Sequence, residues 1–104
     1  FDTAEAARKF MTLSQRTWVA CQGHTVVAPV ADGTHDTWRI EQVKDEGGVL
    51  SMTATLTSPT GAPWSCQHAL AAEGNVIIDV NVSMADVRNT AELMTNAIRQ
   101  RFSQ

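Results

Sequence analysis

The stretch "WSCQHALAAEGNVIIDVNVS", residues 64–83, decides the fold. Its second run alternates, with Val76, Ile78, Val80 and Val82 apolar against Asp79, Asn81 and Ser83 polar; only Ile77 breaks the pattern. A period of two is the signature of a strand with one buried face. Glu73-Gly74-Asn75 between the runs reads as a tight hairpin turn. The first run, 64–72, carries Trp64, Cys66 and His68 at every second position. On a strand those three side chains share a face.

Working backward, three more strands are expected. "HTVVAPV" (24–30) is rich in β-branched residues. "TWRIEQV" (37–43) sets Trp38, Ile40 and Gln42 against Arg39 and Glu41. "VLSMTATLTS" (49–58) sets Leu50, Met52, Ala54 and Leu56 against Ser51, Thr53, Thr55 and Thr57. The connections, 31–36, 44–48 and 59–63, are short and hold Gly or Pro. Short connections make successive strands antiparallel neighbours.

Helices are expected at both ends. In 1–21, Ala4, Ala7, Met11, Ser14, Trp18 and Cys21 recur at spacings of three and four. Asp2 with Glu5 resembles a capping box. In 83–102, Val87, Ala91, Met94, Ile98 and Phe102 form a second stripe, with Ser83 or Asp86 as the cap and Arg99 and Arg101 suited to the C-terminal dipole. The expected fold is α+β and two-layer. An antiparallel five-stranded meander carries an N-terminal and a C-terminal helix packed on one face.

The chain has 104 residues, enough for a single core, and is read as one domain over 1–104. It starts at Phe1 rather than Met, so a piece of a longer domain is expected. A net charge of −3 with scattered Lys and Arg argues against a nucleic-acid partner. No apolar run approaches the roughly 20 residues that cross a bilayer, so any membrane anchor would lie in a segment outside this sequence.

The chemistry-bearing residues admit several readings. Cys21-x-x-His24 with Cys66-x-His68 is a Cys2His2 set, but residues i and i+2 on a strand converge poorly on zinc. Cys66 beside His24 or His68 could form a nucleophile pair, but no third orienting group is marked. A Cys21–Cys66 disulfide is the plainest reading. It would close a loop of about 45 residues, stabilise by ~4 kcal/mol and require an extracytoplasmic compartment. Trp18, Trp38 and Trp64 read first as core, and His35 as an exposed turn residue. The ligand-binding candidates are Trp38, Trp64, Gln67, His68, Asp79 and Asn81, on a polar sheet face with Ser51, Thr53, Thr55 and Ser65. No catalytic residue, metal or cofactor is expected.

The motifs "W-V-A-C" (18–21), "W-x-C-Q-H-A-L" (64–70) and "N-V-I-I-D-V" (75–80), between a capped helix and a final amphipathic helix, resemble a known family. It is the extracellular sensor domain of the mycobacterial PknH-type serine/threonine kinases, shared with related lipoproteins. The resemblance covers nearly all of the chain and matches the C-terminal portion of the longer family domain. It implies an extracytoplasmic, non-catalytic domain of the cell envelope with a cleft for an unidentified small-molecule or envelope ligand. Family members carry more cysteines, one of them after the last strand, where this chain has Asn81-Val82-Ser83, so the bridge expected above rests on this sequence alone. A shortened domain would leave a sheet edge uncovered, and a homodimer through that edge is expected, at 24–30 or whichever strand ends the sheet. The competing class is a protein-interaction or structural domain. A concave pocket would favour ligand binding and a flat apolar patch the alternative.

Overall fold

The computed structural model describes residues 1–29, 33, 35–57 and 64–102. Its elements are α1 (Ala4–Cys21), β1 (Thr25–Pro29), β2 (His35–Glu46), β3 (Val49–Leu56), β4 (Ser65–Glu73), β5 (Val76–Met84) and α2 (Thr90–Phe102). The five strands form one antiparallel sheet in the order β1-β2-β3-β4-β5. The α+β class, the meander and the two terminal helices are therefore as the sequence implies. The turns expected at 31–36 and 59–63 fall largely outside the described residues.

The layering is not as expected: the helices lie on opposite faces, giving three layers. Register is the cause. Leu50 pairs with Leu70, and Leu70 with Asp79; Val49 pairs with Ala71, and Ala71 with Ile78. The apolar set of β3 (Leu50, Met52, Ala54, Leu56) therefore points to one side. The apolar set of β5 (Val76, Ile78, Val80, Val82) points to the other. Strand β4 lies between them and is apolar on both sides, so Ala69, Leu70 and Ala71 are all buried in succession. A strand covered on both faces reads as a continuous apolar run, and "ALAA" (69–72) is one.

Helix α1 covers the Leu50/Leu70 face. Its expected stripe holds: Ala7 is buried and Ala4, Met11, Ser14, Trp18 and Cys21 are half-buried. The helix starts one residue later than Asp2 would set. Thr3 is the N-cap, and its Oγ1 accepts from the amide of Ala6 at 3.0 Å. At the other end a bulge in β2 at Ile40/Gln42 receives the helix terminus. Gly23 donates to the Ile40 carbonyl at 2.8 Å, and the Gln22 side chain accepts from the Val43 amide at 3.0 Å. The bulge turns Gln42 to the α2 face while Trp38, Ile40 and Val43 stay on the α1 face, which corrects the simple alternation expected of β2.

Helix α2 covers the other face, over β4 and β5. It begins at Thr90, well after Ser83 or Asp86, because 85–89 turn the chain from the sheet edge to the helix. Its buried positions are Ala91 and Thr95, with Val87 just ahead of it. The expected stripe is thus rotated: Met94, Ile98 and Phe102 are exposed. Polar anchors set that rotation. The Gln67 side chain accepts from the Glu92 amide at 3.1 Å, and Lys44 Nζ lies 3.0 Å from Glu92 Oε2. Arg99 Nε donates to Glu73 Oε1 at 2.8 Å. Under the helix, Ala69 and Ala71 face Ala91, and small residues on both sides permit close approach.

Candidate functional site

Two regions on the α1 side draw attention. The first is built on β4 and β5. His68 and Asp79 stand on adjacent strands, with Nε2 to Oδ1 at 2.6 Å. Asn81 is the direct cross-strand partner of His68, and Ser83 that of Cys66. The Trp18 ring packs tilted against His68, at a centroid distance of 4.6 Å and an interplanar angle of 43°. Aromatic, imidazole and carboxylate thus form one connected unit that ties α1 to the sheet.

The expected site residues divide. His68, Asp79 and Asn81 come together. Trp38 and Trp64 share their face but stand in a different row, where Leu56 pairs with Trp38 and donates to the Trp64 carbonyl at 2.9 Å. Gln67 does not belong with them. It is buried on the α2 side, and its side-chain oxygen caps the first turn of α2. The single polar face expected for Ser51, Thr53, Thr55, Ser65, Gln67, Asp79 and Asn81 is corrected in the same way. Register puts the first five on the α2 face and the last two on the α1 face.

The expected disulfide is not formed; Cys21 and Cys66 are both free and half-buried. The Cys66 Sγ lies 2.7 Å from Ser83 Oγ, on the β5 side of its strand. Cys21 ends a helix whose terminus is anchored over β2, two strands away from β4. Among the described residues, no three of His, Cys, Asp and Glu converge as a metal site would require. The side chain of His35 lies outside the described residues.

The second region is a groove of about 340 Å³ between α1 and the end of the sheet at the β2–β3 turn. Leu50, Ala72 and Met11 supply apolar lining. Arg8, Thr12 and Gln15 project from α1, and Asp45, Gly48 and Arg99 close the sheet side. Arg8, Thr12 and Gln15 are spaced four and three apart, so they stand on one side of the helix. Arg99 is held in place: besides Glu73, its Nη1 donates to the Gly47 carbonyl at 2.7 Å. None of the six expected ligand residues lines this groove. One signal could have found it. Met11 lies on the apolar stripe, and the polar residues at 8, 12 and 15 flank that stripe at helical spacing.

The fold agrees with known proteins. The PknH-like extracellular domain model matches residues 1–101. The chain belongs to the PknH-like extracellular domain family. It is 32% identical over 91 residues, 88% of this chain, to the serine/threonine-protein kinase PknH of Mycobacterium bovis. The same identity and coverage hold for PknH of Mycobacterium tuberculosis. The chain spans 15% and 14% of the length of those kinases, respectively. The crystal structure of the extracellular domain of PknH from Mycobacterium tuberculosis superposes with a TM-score of 0.88 at 28% identity. That match covers 99% of this chain and 52% of the solved one. The PknH-like resemblance and extracellular placement expected from the motifs are thus established. The relatives are kinases, but the matching part is their extracellular domain, and these 104 residues hold no kinase domain. No helix among the described residues is long and apolar enough to cross a membrane.

Proposed function

We propose that this chain is the ligand-reading, non-catalytic part of an extracellular domain of a PknH-type receptor kinase or a sibling lipoprotein. Its ligand would sit in the groove between α1 and the β2–β3 end of the sheet. The observation that carries this reading is the groove itself. It is concave, has an apolar floor at Leu50 and Ala72, and gathers a few polar groups at Arg8, Thr12 and Gln15. Small-molecule sites have that composition, whereas protein-docking surfaces are flatter. A ligand there would touch α1 and the sheet together, so binding would favour the arrangement in which they are closed. The domain is read as part of a larger extracellular unit, since its match fills 52% of the solved relative.

The test is a thermal-shift screen with sugars, organic acids and small amphiphiles, on the wild type and on a Thr12→Trp variant that fills the groove from an exposed position. A ligand at a hundredfold excess over its Kd stabilises by about 2.7 kcal/mol, a shift easily read. Stabilisation of the wild type but not of the filled variant supports the groove. Compounds that stabilise both equally would move the site elsewhere.

A further inference from the structure

The sheet has two edges, and they differ. β1 is five residues long and contains Pro29, which offers no amide hydrogen. β5 runs nine residues, Val76–Met84, with no Pro, Lys or Arg. Pro and Lys usually protect an edge from pairing, and β5 has neither; its one charged side chain, Asp79, is engaged by His68 Nε2 at 2.6 Å. Among the described residues it pairs with β4 alone.

The free groups of β5 can be assigned. The two-residue turn Gly74–Asn75 makes Glu73 and Val76 a hydrogen-bonded pair. The backbone groups of Val76, Ile78, Val80, Val82 and Met84 therefore point to β4. Those of Ile77, Asp79, Asn81 and Ser83 point outward. Beside this edge lies an apolar flank of α2. Glu92 turns toward Lys44 on β2, so Met94 and Ile98, on the other side of the helix, overhang β5. They are 46% and 37% exposed.

We infer that β5 is a self-pairing edge: two copies of this chain join antiparallel through Val76–Met84, about a two-fold at Val80, and continue the sheet to ten strands. Self-complementarity selects a second copy as the occupant. Full overlap of the nine-residue strand sets Val80 against Val80, Ile78 against Val82 and Val76 against Met84, so the apolar face continues across the join. The same register sets Asp79 opposite Asn81 in both directions. Sliding it one hydrogen-bonded step toward the hairpin would oppose Asp79 to Asp79 and shorten the overlap. The two-fold is normal to the sheet, so both α2 helices stand on one side. With strands about 4.8 Å apart, a helix seated midway between β4 and β5 stands about 10 Å from its copy. Packed helices lie about 8–10 Å apart, so Met94 and Ile98 of the two copies meet over Val80.

The test is sedimentation equilibrium of the 104-residue chain from micromolar to millimolar concentration. A concentration-dependent dimer is expected. Asn81→Pro removes one outward amide and leaves the β4–β5 ladder intact, so it should give a folded monomer, with circular dichroism as the control. Asn81→Asp places carboxylates opposite each other at two positions and should weaken association about tenfold. Adding Asp79→Asn to that variant restores the acid–amide pairing and should recover the affinity. A wild type that stays monomeric throughout overturns the inference. So does a dimer indifferent to Asn81→Pro. Failure of the double variant to recover overturns the proposed register, and a β5 edge protected only when the rest of the parent protein is present overturns self-pairing.

Discussion

The two faces of one sheet hold their helices by different means. On the α2 side, polar side chains fix the helix at both ends. Gln67 caps its first turn, Lys44 meets Glu92, and Arg99 reaches Glu73 and Gly47, while small residues fill the middle. On the α1 side, Gln22 and Gly23 tie the helix end to β2, but along the helix larger side chains such as Leu50, Leu70 and Trp18 carry the contact, and a groove remains beside them. Directional bonds set rotation, whereas bulk sets separation. This is why α2 turns an apolar flank outward even though its buried positions include Thr95, and why the groove lies under α1.

The comparison can be broken or sharpened by substitution. The largest effect is expected at Leu50, which is 1% exposed beneath α1. Leu50→Ala should cost about 3 kcal/mol in denaturant unfolding, because the groove cannot collapse to fill the space. A loss below about 1 kcal/mol would show that bulk does not hold this face. Next comes Gln67→Met, which keeps volume and removes the acceptor for the Glu92 amide. It should cost about 1–2 kcal/mol and speed amide exchange in the first turn of α2 more than anywhere in α1. Uniform exchange would deny the capping role.

Gly48→Ala should cost about 1 kcal/mol. Its φ is +83°, and an added Cβ would lie 3.1 Å from Arg99 Nη2. The matching observation is a shifted Arg99 side-chain resonance. The smallest effect is the alkaline one. Lys44 titrates above its ordinary value because Glu92 accepts a hydrogen bond from it, with added charge attraction from Glu92 and Glu46 outweighing its partial burial. A raised lysine contributes stability fully present below its unfolded pKa and lost as pH rises through the folded one. Wild type and Lys44→Met should therefore converge in stability above about pH 10.5. Curves that stay parallel would show that the Glu92 contact does not carry the contribution of Lys44.

Much of the fold was legible. Strands alternate, helices show their stripes, and short turns dictate the meander. The side on which each strand shows its apolar set was not. Alternation gives parity within a strand, but only cross-strand register relates one strand to the next. That relation placed Leu50 and Ile78 on opposite faces and split the helices. Likewise, helical periodicity proposed Met94 and Ile98 for the core, but it is blind to an amide cap arriving from a distant strand. The pairing of His68 with Asp79 and Asn81 was within reach, since the hairpin alone sets their register. The groove was signalled only on its helix side, by the polar residues at 8, 12 and 15 beside Met11, because it is a gap between elements rather than a pattern in any one of them.

Arg99 belongs to α2, yet its guanidinium also grips the β2–β3 turn and borders the groove beneath α1. One planar group therefore spans all three layers at that end of the molecule. Whatever displaces it from the groove side must also loosen the Glu73 and Gly47 bonds, so pressure applied in one layer is transmitted to the layer behind the sheet.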